Sequence, residues 1–194
     1  MHLKNEYLEP QNEVLKFIDD AMNRNKRRRK VEYIKQNLYI VGVCKRFNFN
    51  SNVIRALGEF FQKNAEIFSF QRLLKNGIMY ESSSYCENKL SDNSCIMYDL
   101  NGKENLGIIH SFIKIFDQNL DEFKFYAIVI ECVHVTGFRC EFLKSDLKSI
   151  FLFRQRTNCS MISIDIEKIK SICFKINIGD LMFAVKPANI IEFE

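Results

Sequence analysis

The sequence predicts an α+β protein: a helical, basic arm over residues 1–76, followed by a mainly antiparallel β-barrel or sandwich-like module over residues 77–194. Three observations predict it. Apolar residues recur at helical spacing early in the chain, the period shifts to two after Gly77, and Asn101-Gly102 sits between two alternating apolar runs. That dipeptide is the strongest short-range signal for a β-hairpin, because both residues tolerate a positive φ.

The arm is read element by element. Pro10 suits a first helical turn, and Val14, Ile18 and Met22 follow at helical spacing. The apolar stripe resumes at Val31, Ile34 and Leu38, past a run of cations. A third helix is expected from Ser51 as N-cap, with Ile54, Leu57, Phe61 and Phe68 on one face and Gly77 as its stop. Strands are then expected at 94–100, 106–116, 123–135, 149–153, 159–166, 171–178 and 181–186, with Gly179-Asp180 closing the last hairpin. No internal repeat or low-complexity tract interrupts this order.

The chain has 194 residues, 47% of them hydrophobic, including 18 Phe, which is enough to bury a sizeable core. Its formal charge of +4 is local: outside Arg24–Lys30, 22 basic residues face 24 acidic ones. A basic field spread over the whole surface is therefore excluded. The opening residues are too polar for a secretory segment, and the apolar runs fall short of the roughly 20 residues that cross a bilayer. Seven scattered cysteines then fit reduced thiols, so the expected location is nuclear or cytoplasmic, with no membrane partner.

Candidate chemistry is sparse. Cys132 and His134 lie two apart on an expected strand, with Cys140 beyond it, but the paired close-spaced ligands of a zinc site are missing. The sequence has no Ser nucleophile elbow, no Cys-bearing family signature and no phosphate-cradling glycine loop. The expectation is a non-enzymatic protein with no catalytic residue, no metal and no cofactor.

Two features point to binding instead. The run "RNKRRRK" supplies six cations, Arg24, Lys26, Arg27, Arg28, Arg29 and Lys30, in seven residues. Cations this dense repel one another unless solvent or a polyanion compensates, and against phosphates they release counterions. DNA or RNA contact is the functional reading, a nuclear address the second, a solvated helix end the bland one. Tyr80, Tyr85 and Tyr98 cluster near the first strands, where a small barrel builds a ligand cage or protein-recognition surface. The bland reading places them in the core.

From Phe70 onward, "FQRLLKNGIMYESSSY", "LGIIHSFIKIF", "FYAIVIECVHV", "IDIEKIKSICFKI" and "FAVKPANIIEFE" follow in a familiar order. The order resembles the β-rich C-terminal module of uncharacterised proteins encoded by invertebrate DNA transposons, whose plant counterpart accompanies CACTA-type transposases. It covers about two-thirds of the chain. Its landmarks here are Asn76-Gly77, Tyr80 to Tyr85, Gly107 to Ile109, Ile169 to Cys173 and a terminal Pro187…Glu192 carrying an extra Ala188. The resemblance implies a transposon-derived accessory module without transferable catalytic residues, its partner another transposon-encoded protein. A looser likeness to bromo-adjacent homology domains implies a chromatin-associated reader of histone tails.

Overall fold

The computed structural model describes residues 30–47, 51–58, 66–89, 91–117, 120–134, 150–155, 160–178 and 181–187. They form a mainly antiparallel β structure in three sheets, none of them closed into a barrel. The expected helical arm is thereby overturned over its described part. The helix expected around Val14, Ile18 and Met22 lies outside the described residues, as do Arg24 through Arg29.

Where the arm was expected to continue, a hairpin forms from β1 (Val31–Lys35) and β2 (Leu38–Val41). The helical reading failed for a physical reason. The register of the pair shifts between Tyr33 and Lys35, so the alternation of the strand is interrupted at Ile34. The extra residue makes the step from Val31 to Ile34 three, and the turn at Gln36-Asn37 makes the step to Leu38 four, so that together they imitate a helix. The short strand β3 (Lys45–Arg46) leads to α1 (Ser51–Leu57). This helix does start at the expected serine, but it buries Val53 and Leu57 and reaches only Gly58, whose φ of +52° marks a left-handed helix stop.

The helix expected to run on to Gly77 is instead β4 (Ile67–Phe70), β5 (Arg72–Lys75) and the start of β6 (Ile78–Glu81). Asn76 and Gly77 have φ of 50° and 78°, and Lys75 pairs with Ile78, so this Asn-Gly is a two-residue hairpin turn. Strands β1, β2, β5 and β6 form the first sheet in the order β1-β2-β5-β6. A single helical turn, α2 (Ser83–Cys86), follows, its N–H at Tyr85 donating to the Ser82 hydroxyl.

The hairpin expected at Asn101-Gly102 is present as read. In β7 (Cys95–Leu100) and β8 (Lys103–Asp117), Leu100 pairs with Lys103 across Asn101-Gly102, with φ of 55° and 77°. Strand β8 and β9 (Glu122–His134) make a long ribbon on which the rest is assembled. One edge of β8 carries β7 and then β4; the outer edge of β9 carries β11 (Met161–Asp165) and then β10 (Ile150–Gln155). A bulge at His110 flips the side-chain parity, so that Ile109 and Phe112 face the same way.

Beyond β11 come a 3-10 turn (Ile166–Lys168), β12 (Ile169–Ile172), β13 (Phe174–Ile178) and β14 (Leu181–Val185). Strand β12 pairs with β7, β13 with β14, and β14 with β10. Ile178 faces Leu181, as a hairpin over Gly179-Asp180 requires, although those two residues lie outside the described ones.

The ribbon is buried on both faces. On one, Phe112, Ala127 and Val129 meet Leu38, Ile40, Leu73 and Tyr80 of the first sheet. On the other, Ile113, Ile115, Tyr126 and Ile128 meet Val53 and Leu57 of α1. Further along, Cys95, Ile108, Ile130, Phe153 and Cys173 form a third cluster. Among the described residues no helix is long and apolar enough to cross a membrane.

Candidate functional site

The first sheet covers only part of the ribbon. Where the ribbon runs out toward the β8–β9 turn, a groove of about 810 Å³ opens between β1, the first residues of β9, and the corner where β11 becomes the 3-10 turn. Its walls are lined by Glu32, Tyr33, Ile34 and Lys35 on one side and by Glu122 through Tyr126 on the other. A strand that shows a face to a groove lines it with every second residue, because side chains alternate. Consecutive lining places the edge of each strand along the groove.

Among the described residues both edges are open. Strand β1 pairs with β2 alone among the described residues. On β9, the ladder with β11 begins only at Tyr126, so Glu122 to Phe125 pair with β8 on one side and with no described strand on the other. Aromatic surface stands beside these edges: Tyr33 is 64% exposed and Phe123 39%.

Ion pairs tie the walls to their neighbours. Lys114 on β8 bridges to Glu32 on β1, and its ammonium lies 3.9 Å from the centre of the Phe123 ring. At the other end Lys35 meets Glu167 at 2.5 Å. That bond holds the Glu167 carboxyl below its ordinary pKa. Lys75 reaches across from the first sheet and donates to the carbonyls of Ile166, Glu167 and Ile169 at 3.0, 2.9 and 3.0 Å. Burial pulls the pKa of this lysine down, against the pull of Glu167. Asp165 caps the turn by accepting from the Glu167 N–H at 2.8 Å.

The residues singled out in the sequence do not build this site together. Tyr80 and Tyr98 are 2% and 1% exposed, in the core between the sheets. Burial pushes the Tyr80 phenol up to about 12 and raises that of Tyr98 as well. Neither ring, so placed, offers a recognition surface. Tyr85 is half-buried on α2, with Lys89 3.0 Å and Arg72 4.8 Å from its ring centre, so its face is already the seat of two cations of this chain. Of the basic run only Lys30 is described; it is exposed, its carbonyl accepts from the Gly42 N–H at 2.7 Å, and β1 starts at the next residue. The run therefore enters the fold at the head of one groove wall.

Other polar clusters are saturated. Glu81 accepts from Lys89 at 3.2 Å and from the Cys86 thiol at 3.6 Å, while Ser82 and Ser84 both donate to Gln71. Cys95, Cys132 and Cys173 share the third core cluster. Burial is the main cause that raises all three thiols, Cys132 and Cys173 to about 11, which keeps them protonated and unreactive. Cys132 is thus a core thiol, and the side chain of His134 lies outside what is described. Among the described residues no group of three His, Cys, Asp or Glu is placed to hold a metal.

The sequence reading missed Tyr33, Glu122, Phe123 and Asp165. The available signal was "VEYIKQNLYIV", whose β-branched and aromatic content favours a hairpin over a helix. Fold and groove together define the class: a mainly antiparallel β protein with a cleft bounded by two strand edges that no described strand covers. Comparison with known proteins finds no matching family model, no matching curated protein and no matching solved structure.

Proposed function

We propose that this protein is a non-enzymatic binding module whose groove takes an extended polypeptide segment by strand addition. One observation carries the reading: consecutive residues of β1 and of β9 line the same groove with strand edges that pair with no other described strand. Unpaired edge N–H and C=O groups are a template for another strand, with the backbone ladder giving affinity and flanking side chains giving selectivity. Tyr33 and Phe123 supply apolar area next to that ladder. In the frame of the resemblance, the partner is another transposon-encoded or a chromatin protein.

The test is fluorescence anisotropy of the full chain with a labelled octapeptide of alternating threonine and valine. The reading expects saturable binding that is lost when two valines are replaced by proline, which cannot donate to a ladder. Equal binding of both peptides would refute strand addition.

A second reading is favoured by the position of Lys30: nucleic acid contacts the run Arg24–Lys30 where it leaves the β body. Duplex DNA titrated at several salt concentrations tests it. Arg27→Gln, Arg28→Gln and Arg29→Gln together should weaken binding for all sequences alike and flatten the salt slope by about three. An unchanged slope would exclude the run.

A further inference from the structure

Arg72, at the start of β5, is a cation held away from water without an anion of its own. It is 8% exposed, and its guanidinium lies 4.8 Å from the centre of the Tyr85 ring. Glu81 stands directly across the ladder, but both of its carboxylate oxygens are engaged, one by Lys89 at 3.2 Å and the other by the Cys86 thiol at 3.6 Å. Asp92, the other acid that acts on Cys86, is held by Lys175 at 2.5 Å. Among the described residues the Arg72 guanidinium makes no hydrogen bond and no ion pair, and the Tyr85 ring is what holds it. A guanidinium does not give up its proton in a protein, so burial cannot be relieved by neutralisation. Nor is the group sealed off. Ser171 Oγ is the only fully enclosed side-chain nitrogen or oxygen without a partner among the described residues, so the Arg72 nitrogens reach the surface.

The same end of the first sheet receives the basic run. Val31 pairs with Val41 and Ile40 with Leu73, which puts Lys30, Gly42 and Arg72 together at one end of β1, β2 and β5. Gly42 joins the other two. Its N–H donates to the Lys30 carbonyl at 2.7 Å, and the place a Cβ would take on it is 3.5 Å from a terminal nitrogen of Arg72.

We infer that Arg72 is a phosphate contact on a nucleic-acid surface that begins at Arg24–Lys30, seating one phosphate of the strand that the run engages; this rests on nucleic-acid contact by the run. Three features agree on it. The planar fork of N–H donors matches two phosphate oxygens at once. Tyr85 fixes the plane of that fork before any ligand arrives, so little freedom is lost on binding. The run beside it favours a polyanion over a single acid, because neighbouring phosphates then meet neighbouring cations. Lys89, 3.0 Å from the centre of the same ring, keeps Glu81 occupied and so leaves the guanidinium to the incoming phosphate.

The experiment uses the full chain and two labelled DNA duplexes of unrelated sequence, followed by fluorescence anisotropy at several salt concentrations. Arg72→Gln should weaken binding of both duplexes alike and flatten the salt slope by about one, against about three for Arg27→Gln/Arg28→Gln/Arg29→Gln. Arg72→Lys keeps the charge and should restore the slope, with lower affinity at each salt because an ammonium offers no fork. A variant that merely folds less well lowers the active fraction and leaves the slope where it was. On the unaltered protein, the Arg72 Nε–H resonance, assigned by its disappearance in Arg72→Lys, should shift when duplex is added.

An unchanged slope in Arg72→Gln, beside a flattened one in the run variant, would overturn the site and leave the run standing. An Nε–H resonance that stays in place while duplex is bound would do the same. Absence of binding by the wild-type chain, or an unchanged slope in the run variant, would remove the nucleic-acid reading and the inference with it. Displacement of the duplex by polyglutamate of equal charge as readily as by unlabelled duplex would assign the surface to an acidic protein, which overturns the phosphate contact.

Discussion

Gly107 on β8 is where the fold is most sensitive to a single added atom. A Cβ built there lies 2.2 Å from Val129 Cγ1, 3.0 Å from the Ile130 carbonyl oxygen and 3.1 Å from Tyr98 Cε1. Tyr98 and Val129 are 1% and 0% exposed, so neither can swing out into solvent. Alanine in place of glycine stiffens the unfolded chain and would by itself stabilise by about 0.4–1 kcal/mol. The overlap works the other way: overpacking a dense core costs about 1–3 kcal/mol, and a contact this short belongs at the upper end. The net expectation for Gly107→Ala is a loss of about 2 kcal/mol in urea unfolding, read as a lower midpoint at unchanged slope.

The clash assigns a partner, which makes the reasoning sharper than a loss of stability alone. Val129→Ala removes the methyl at 2.2 Å and on its own should cost about 2 kcal/mol in lost burial and cavity. The double variant should then be more stable than the sum of the two by roughly 1–2 kcal/mol, within the range seen for residues in contact. Additivity within about 0.5 kcal/mol would refute the packing of β7, β8 and β9 on which the groove is built.

Two further outcomes follow from the described contacts. Lys75→Met should destabilise by about 2 kcal/mol, since three carbonyls lose a charged donor while the variant is spared the burial of an ammonium; a change under about 0.5 kcal/mol in urea unfolding would show the pin to be idle. Alkaline pH should unfold the protein: Tyr80 stands at about 12 and Cys86, Cys132 and Cys173 at about 11, against ordinary values of 10.0 and 9.0, all raised chiefly by burial. Because the folded pKa values are the higher ones, the unfolded chain releases its protons first, so stability declines from about pH 9 and continues down through pH 11–12. Lys75, with its lowered folded pKa, works in the opposite sense as one group against several. A urea midpoint that stays flat between pH 9 and pH 11 would contradict this.

How far the sequence discloses the molecule depends on how local the cause is. The Asn101-Gly102 hairpin and its two strands were legible because turn chemistry and alternation act between near neighbours, whereas the strand expected at 171–178 is split at Cys173 into one that pairs with β7 and one that pairs with β14. Asn76-Gly77 carries the same signal but ends "FQRLLK", whose paired leucines also fit a helix, and it was read as a helix stop. Val31 to Val41 was misread because its bulge imitates helical spacing. The tyrosines show the other limit. Tyr80 and Tyr98 are buried by strands distant in sequence, and composition alone did not separate core aromatics from displayed ones. The groove is likewise non-local, since it joins residues 32–35 to residues 122–126 and 163–167. Nothing near Glu122 in the chain announces Tyr33.

The central claim is that the edges of β1 and of Glu122–Phe125 are a template for an added strand, and amide hydrogen exchange tests it most directly. Adding the octapeptide of alternating threonine and valine to the full chain should slow exchange at alternate amides within Val31–Lys35, within Glu122–Phe125, or within both, as a new ladder forms. Unchanged exchange in both segments while the peptide is bound would contradict the account.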